Sequence, residues 1–204
     1  EAYTGLDRAR SETLHPAGRP RAVPSDAPDR TIWRNLEEVG LDASHLERNR
    51  IISAAKQDPS HVAFDVLRTR ILREFRKRGW SHVGITSPTE GCGKTFVSAN
   101  LALSLARQEE VYTILFDMDL RAPSIAKVLG HKNPRSVNSF LSGHVKAEDY
   151  LKRHGPNLAI GFNARRIDGA AEAILSQSTS DVLTSMTDTY RPDIVIYDLP
   201  PMLV

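Results

Sequence analysis

The stretch SPTEGCGKTF, residues 87–96, follows an apolar segment and leads into a helical pattern. It differs by one residue from G-x-x-x-x-G-K-[ST], the pattern of loops that bind phosphate at a helix N-terminus. Pro88 stands where the pattern has its first glycine, and proline removes one backbone amide donor. The rest of the pattern is intact, so we predict a phosphate-binding loop made of Glu90, Gly91, Cys92, Gly93, Lys94, Thr95 and Phe96. In such a loop the lysine supplies a positive charge, and the threonine hydroxyl can bind Mg²⁺.

Strand-like and helix-like segments alternate around this loop. Apolar runs at 81–87, 111–117, 158–162 and 193–201 read as buried strands, because they are nearly continuous rather than alternating. Between and beside them, helical patterns occur at 60–78, 94–108, 124–129, 136–141, 147–151 and 170–190. The alternation predicts an α/β fold of the P-loop NTPase type, a doubly wound and mostly parallel sheet with helices on both faces.

Three aspartates follow predicted strands. Asp117 ends the segment VYTILFD, Asp119 comes two residues later, and Asp198 ends IVIYD. Open parallel sheets bind ligands at the carboxyl ends of their strands, so these side chains are expected to meet at one site. One carboxylate can hold Mg²⁺ while another accepts a proton from an attacking hydroxyl. The alternative for each aspartate is a helix cap or turn residue, but the ordered set of three motifs favours a nucleotide site.

Length and composition limit the class of protein. The 204 residues suit one α/β domain with an appendage, and no apolar run is long enough to span a membrane. A single cysteine excludes an internal disulfide framework, and a net charge of +2 does not by itself favour nucleic acid. Residues 1–59, rich in Pro and Arg at first, are predicted to be a flexible linker with short helical pieces. Residues 60–204 are predicted to be the ATPase or kinase domain, truncated at its C-terminus.

The predicted helix at 60–78 has two contrasting faces. Its apolar face recurs at three and four residues, and comprises Phe64, Leu67, Ile71, Leu72 and Phe75. The opposite face is basic, with Arg68, Arg70, Arg73, Arg76, Lys77 and Arg78 against Glu74. Three interpretations stay open: a solvated helix face, contact with an acidic membrane surface or acidic partner, or nucleic acid binding. Nucleic acid is the least favoured, since no aromatic residues interleave the charges.

The segments SPTEGCGKTF, ILFDMDLRAP and DIVIYDLPP together resemble the bacterial tyrosine autokinases of capsule and exopolysaccharide synthesis. That family combines an SPxxGxGK[ST] loop with DxDxR and DxPP segments, within the wider class that contains the division-site and partitioning ATPases. The partitioning branch carries a signature lysine where this chain has Thr89. By resemblance, ATP and Mg²⁺ are the cofactors, and the catalytic residues are Lys94, Asp117, Asp119 and Arg121. Thr95, Asp119 and Asp198 would hold the metal, and Asp117 would be the base for a tyrosine hydroxyl.

The resemblance also implies a setting. It predicts a cytoplasmic protein, peripheral at the inner membrane, which forms a homo-oligomer and works with a membrane-embedded polysaccharide co-polymerase. Two features differ from the family. Its E-x-x-R-x-x-R helix motif reads Val62, Asp65 and Arg68 here, and the five tyrosines are scattered rather than clustered. A second hypothesis is therefore a P-loop ATPase switch or scaffold that lacks kinase activity. A third is a binding module for nucleic acid or membrane that uses the basic helix.

Overall fold

The computed structural model describes residues 30–51 and 61–203, and its centre is a six-stranded sheet with the order β1-β4-β5-β3-β6-β2. Neighbouring strands are parallel except for the antiparallel pair β4 and β5. Apolar and β-branched residues form the central strands, which are buried on both faces. The strands are β1 Glu37–Glu38, β2 His82–Ile85, β3 Thr113–Asp117, β4 Lys152–His154, β5 Leu158–Gly161 and β6 Ile194–Asp198.

Helices connect the strands and cover the sheet. The longest are α3 His61–Arg78, α4 Lys94–Ala106 and α9 Gln177–Tyr190. The shorter helices are α1 Thr31–Arg34, α2 Ala43–Arg48, α5 Ile125–Leu129, α6 Val137–Leu141, α7 Ala147–Tyr150 and α8 Ala170–Leu175. Within the two described ranges, no helix combines the length and apolar character that a membrane crossing requires.

The core has two layers, one on each face of the sheet. On one face, Leu115 of β3 packs in a cluster with residues of α3, α4 and α5. On the other face, its neighbours Ile114 and Phe116 pack with residues of α1, α6 and α9. Successive residues of a strand point to opposite faces, so one strand serves both layers. The predicted doubly wound, mostly parallel sheet with helices on both faces is confirmed.

Helix α3 matches the predicted segment 60–78, but one of its arginines does not lie where the sequence analysis placed it. The Asp65 Oδ1 atom accepts hydrogen bonds from Arg68 Nη1 at 2.9 Å and from Ser104 Oγ on α4 at 3.0 Å. Arg68 Nη1 also donates to the Ser104 carbonyl at 2.8 Å. The Arg68 side chain is only 14% exposed. The expectation that Arg68 belongs to the exposed basic face is wrong, because this network holds it against α4.

Residues 30–51 pack on the sheet, although the sequence analysis placed them in a linker. Trp33 is fully buried and donates from Nε1 to the Tyr190 carbonyl at 2.9 Å. Strand β1 adds an edge to the sheet by pairing with β4. The two residues of β1 are both exposed glutamates, so the strand has no apolar pattern that a sequence reading could detect. This segment also contains the short helices α1 and α2. Residues 1–29 and 52–59, which complete the predicted flexible linker, lie outside the described residues.

Candidate functional site

The predicted phosphate-binding loop connects β2 to α4 with an unusual backbone. Gly91 and Gly93 have φ values of +74° and +85°, a left-handed region that favours glycine. A Cβ atom added at either glycine would meet no atom within 4 Å, so the space above the loop is open to a ligand. No side chain in the described parts of the chain caps the N-terminus of α4, whose first amides have no intrahelical acceptor. Open space, positive φ and uncapped amides fit a bound phosphate group.

The first bend of the loop, where Pro88 replaces glycine, is attached to the segment that follows β6. The Thr86 hydroxyl donates to the Pro200 carbonyl at 2.7 Å. The Leu203 amide donates to the Pro88 carbonyl at 2.9 Å, and the Met202 amide donates to the Ser87 carbonyl at the same distance. Pro88 therefore contributes an acceptor to this attachment, and its missing amide falls outside the segment that begins the helix.

Lys94 forms a buried ion pair at the start of α4. Its Nζ atom lies 2.6 Å from Asp119 Oδ2, and the two side chains are 12% and 1% exposed. The second oxygen, Asp119 Oδ1, accepts from the backbone amides of Ala122 at 2.9 Å and Arg121 at 3.3 Å. The carboxylate is therefore fixed on both sides, and it holds the Lys94 ammonium group beside the loop.

Asp198 lies at the centre of a second network. The Thr95 hydroxyl donates to Asp198 Oδ2 at 2.6 Å, and Ser98 Oγ donates to Asp198 Oδ1 at 3.0 Å. Ser124 Oγ lies 2.8 Å from the Thr95 hydroxyl. The sequence analysis missed Ser98 and Ser124. Ser98 could have been found from its spacing, since it lies one turn after Lys94 on α4, whereas no pattern identifies Ser124.

Asp117 is fully buried beside Asp198, its partner in the register of β3 and β6. Its Oδ2 atom accepts from the amides of Ser124 and Ile125, each at 2.9 Å. No described group hydrogen-bonds to the buried Oδ1 atom. The pKa of Asp117 is raised to about 7, mainly by burial and also by the nearby Asp198 carboxylate, against the effect of the two amides. Such a carboxyl group can gain or lose a proton near neutral pH.

The pKa of Asp198 is also raised from its usual value. Burial is the main cause, and the Thr95 hydrogen bond and the Lys94 charge oppose it. The three aspartates therefore share one small region in which Lys94 is the positive partner. Adding a cation there would relieve the repulsion between these carboxylates.

The structure brings together five predicted residues: Lys94, Thr95, Asp117, Asp119 and Asp198. The other predicted residues lie around them. Glu90, Cys92 and Arg121 are exposed, and the Phe96 ring packs edge-on to Phe64 of α3. Hydrogen bonds from Thr89 lower the pKa of the Cys92 thiol. Phe96 can therefore offer a ligand its backbone amide but not its ring, whereas the side chains of Glu90, Cys92 and Arg121 are open to solvent.

These residues fit a nucleotide with Mg²⁺. The amides at the start of α4 and the Lys94 ammonium group would bind phosphate oxygens, and Thr95, Asp119 and Asp198 supply oxygen ligands of the type that Mg²⁺ prefers. Mg²⁺ commonly uses one or two carboxylates together with substrate phosphates. The described residues contain no group of three or more His, Cys, Asp or Glu side chains arranged to hold a metal. When bound, Mg²⁺ would neutralise charge on the phosphate groups.

Comparisons with known proteins agree with this geometry. A family model for ParA, described as NUBPL iron-transfer P-loop NTPase, matches residues 81–154. EpsB of Ralstonia solanacearum, described as a candidate tyrosine-protein kinase, is 30% identical over 185 residues, which covers 85% of this chain. The solved VpsO kinase domain is 29% identical with a TM-score of 0.60, and the match covers 71% of each chain. This chain is a homologue of the bacterial tyrosine kinases.

The relationship extends to the wider ATPase class but covers only part of some relatives. The chain spans 23% of the length of EpsB. MinD from Pyrococcus horikoshii, solved as a complex with Mg-ADP, is 26% identical with a TM-score of 0.50, and the match covers 61% of this chain and 50% of MinD. The resemblance predicted from SPTEGCGKTF, ILFDMDLRAP and DIVIYDLPP is confirmed.

Proposed function

We propose that this chain is the catalytic domain of an ATP-dependent protein-tyrosine kinase that regulates capsule or exopolysaccharide synthesis. One observation carries the proposal: Lys94, Thr95 and the three aspartates converge where β2, β3 and β6 end. The homology to proteins named as tyrosine kinases selects tyrosine among the acceptors that a P-loop protein could use. Water as the acceptor would make the same site an ATPase.

The contacts within the site support distinct roles. Lys94 would bind the β- and γ-phosphates in exchange for Asp119, and that exchange would free Asp119 for the metal. Thr95 and Asp198 would complete the metal site. Asp117 would accept the proton of the tyrosine hydroxyl, since its raised pKa suits a general base and its Oδ1 atom has no hydrogen-bond donor among the described residues. Arg121, exposed beside Asp119, would contact phosphate or a neighbouring subunit.

The acceptor tyrosine lies outside residues 30–51 and 61–203 in this proposal. Tyr150 and Tyr190 are buried, and Tyr112 and Tyr197 are partly buried. Burial raises the pKa of Tyr197 to about 12, and its ring packs near Phe116. None of the four hydroxyls could enter an active site without disturbing the core. A tyrosine in another part of the protein, in a second copy of the chain or in another protein would therefore accept the phosphate.

The proposed setting follows from the kinase relatives. We propose a cytoplasmic domain that associates with the inner membrane through a membrane-embedded polysaccharide co-polymerase and forms a homo-oligomer. Direct contact between the basic helix α3 and anionic lipid would add to this association. The homology to exopolysaccharide kinases supports the setting.

A second candidate function is a nucleotide-dependent switch without kinase activity. It is favoured by the state of Asp65 and Arg68, which occupy positions of the family's E-x-x-R-x-x-R motif. Both side chains bond within the chain, to each other and to Ser104. These contacts leave them less available for a neighbouring subunit, and mutual phosphorylation between subunits would then need another interface.

The two candidates differ in where the γ-phosphate goes. The full chain would be incubated with ATP and Mg²⁺, with and without the co-polymerase, and both phosphotyrosine and released phosphate would be measured. A kinase gives phosphotyrosine, and Asp117→Asn removes it while fluorescent ADP still binds, because asparagine keeps the shape of the side chain but cannot accept the proton. Phosphate release without phosphotyrosine in the presence of the partner identifies the switch. Absence of ADP binding by the wild-type chain would contradict both.

A further inference from the structure

The C-terminal half of α3, together with the turn that follows it, presents a basic surface to solvent. This basic surface consists of five exposed cations and one exposed aromatic side chain, Arg70, Arg73, Arg76, Lys77, Arg78 and Trp80. Glu74 is the one acidic residue within residues 70–80, and it pairs with Arg78 at 3.3 Å and with Arg73 at 3.9 Å. Most of the positive charge therefore faces solvent without a neighbouring acid on the same helix.

Trp80 gives this surface an amphipathic character. Its side chain is 54% exposed although tryptophan is usually well buried. The guanidinium of Arg78 lies 4.7 Å from the centre of the Trp80 ring, and Phe75 packs edge-on to the same ring. Tryptophan side chains are enriched where proteins meet the headgroup region of a lipid bilayer.

The topology places the basic surface far from the nucleotide site. Helix α3 ends at Arg78, Gly79 reverses the chain with a φ of +67°, and β2 then leads to the phosphate-binding loop. The basic surface thus lies at the amino end of β2 and the loop lies at its carboxyl end. The strand between them has four residues, which is about 13 Å. A large partner could cover the basic surface while the nucleotide site stayed open.

We propose that the basic surface docks on an anionic lipid bilayer, with the phosphate-binding loop turned away from the membrane. Charge complementarity and the exposed Trp80 favour lipid as the partner. Arg70, Arg73 and Lys77 lie within two turns along one convex face of a helix, which suits a flat partner. Proteins that bind a single nucleic acid strand use a groove and aromatic rings whose faces are free to stack on bases. Here Arg78 covers one face of the Trp80 ring. The inference deepens the proposed membrane location but does not depend on kinase activity.

Cosedimentation of the full chain with lipid vesicles tests the docking. Vesicles of phosphatidylcholine containing phosphatidylserine should bind the chain, and vesicles of phosphatidylcholine alone should bind it far more weakly. The triple variant Arg70→Gln, Arg73→Gln, Lys77→Gln should lower the partition coefficient on the order of 100-fold, since each basic residue contributes to binding at an anionic surface. Trp80→Ala should lower it further, and raised salt should weaken binding by the wild type.

A matched control removes the same charge elsewhere. Lys127, Lys146 and Arg166 are exposed and lie outside the basic surface, so their triple change to glutamine should alter binding several-fold at most. Equal losses in both triple variants would overturn the proposal, because net charge alone would then explain binding. Tighter binding to duplex or single-stranded DNA than to anionic vesicles would also overturn it. Both triple variants should still bind fluorescent ADP, so failure of the vesicle test is distinguishable from failure of the nucleotide site.

Discussion

The two ends of strand β2 present the same kinds of charged residue in opposite environments. At its carboxyl end, the Lys94 and Asp119 side chains are 12% and 1% exposed, and they lie 2.6 Å apart. At its amino end, the Arg73 and Arg78 side chains are 74% and 53% exposed, and their contacts with Glu74 are longer. Buried charges interact strongly and are costly to leave alone, whereas exposed charges are screened by water and salt. A substitution should therefore have a large local effect at the carboxyl end and a small one at the amino end.

The largest effect is expected at Lys94. Lys94→Met removes the positive charge that contacts Asp119, which is also the charge proposed to bind phosphate. We expect ATP-dependent phosphotransfer to fall roughly 100-fold or more, because a group that stabilises transferring charge has effects of that size. Turnover of ATP and binding of fluorescent ADP would measure the loss. Lys127→Met changes an exposed lysine and should leave both unchanged. Similar activity in the two variants would contradict the contrast between buried and exposed charge.

The pH dependence of folding should report the buried carboxyl group of Asp117. Its pKa is raised to about 7 in the folded protein, so the folded state binds this proton more tightly than the unfolded state. The stability from Asp117 is then complete below about pH 4 and is lost as the pH rises to about 7, by about 2 kcal/mol between pH 5 and pH 7. Urea unfolding of the wild type and Asp117→Asn at those two pH values measures the difference. Asp117→Asn should lose less stability than the wild type over this interval, and equal losses would show that Asp117 titrates normally.

A smaller effect is expected at Ser98, which contacts Asp198 from within α4. Ser98→Ala leaves the buried Asp198 Oδ1 atom without its hydroxyl donor. We expect the Mg²⁺ concentration that half-saturates nucleotide binding to rise roughly tenfold, because residues that orient a metal ligand have effects of this order. Titration of Mg²⁺ against fluorescent ADP binding gives the value. Ser185→Ala, at an exposed position of α9, is the control, and a matching shift there would contradict a specific role.

The smallest effect is expected at Glu74, in the basic surface. Glu74→Gln removes exposed ion pairs with Arg73 and Arg78. We expect a loss of stability below about 0.5 kcal/mol, and this small loss should shrink as salt is added. Urea unfolding at low and high salt measures it. If the loss of stability were as large as that expected for a buried ion pair, the contrast between buried and exposed charges at the two ends of β2 would be contradicted.

Much of the fold could be predicted because local patterns and tertiary structure agree. The central strands are continuous apolar runs, and the helix pattern at 60–78 reappears as α3. Strands β1 and β4, which pair at one side of the sheet, were not predicted, whereas the other edge strand, β2, lies within the predicted segment 81–87. Glu37 and Glu38 form β1, and Lys152, Arg153 and His154 form β4. These strands consist of charged or polar residues, and the pairs Lys152–Glu37 and Arg153–Glu38 hold them together. An ion pair between two strands that are far apart in the sequence produces no local pattern from which the strands could be predicted.

In the candidate site, too, some residues could be predicted from the sequence and others could not. Five residues could be predicted from short motifs: Lys94, Thr95, Asp117, Asp119 and Asp198. The glycines, lysine and threonine after a strand have the spacing of a loop that binds phosphate, and each aspartate follows an apolar strand. Ser124 was missed because its hydroxyl meets Thr95 only after the loop beyond Asp119 folds back. Arg68 was misplaced for a related reason. A helix pattern assigns a residue to a face, but the Ser104 carbonyl on a neighbouring helix determined its contacts.

The sequence by itself determined the type of fold, the glycine-containing loop between β2 and α4 and the three aspartates that follow strands, since these depend on short-range patterns of apolar residues, glycines and charges. Only the tertiary structure decided which charges are buried and paired. Asp117 has a pKa raised to about 7 mainly because the core excludes water, and also because β6 places Asp198 beside it. Arg73 and Lys77 are exposed because no element within residues 30–51 and 61–203 covers that face of α3. The burial of a charged side chain depends on contacts between segments that are distant in the sequence, so it cannot be predicted from any single sequence segment.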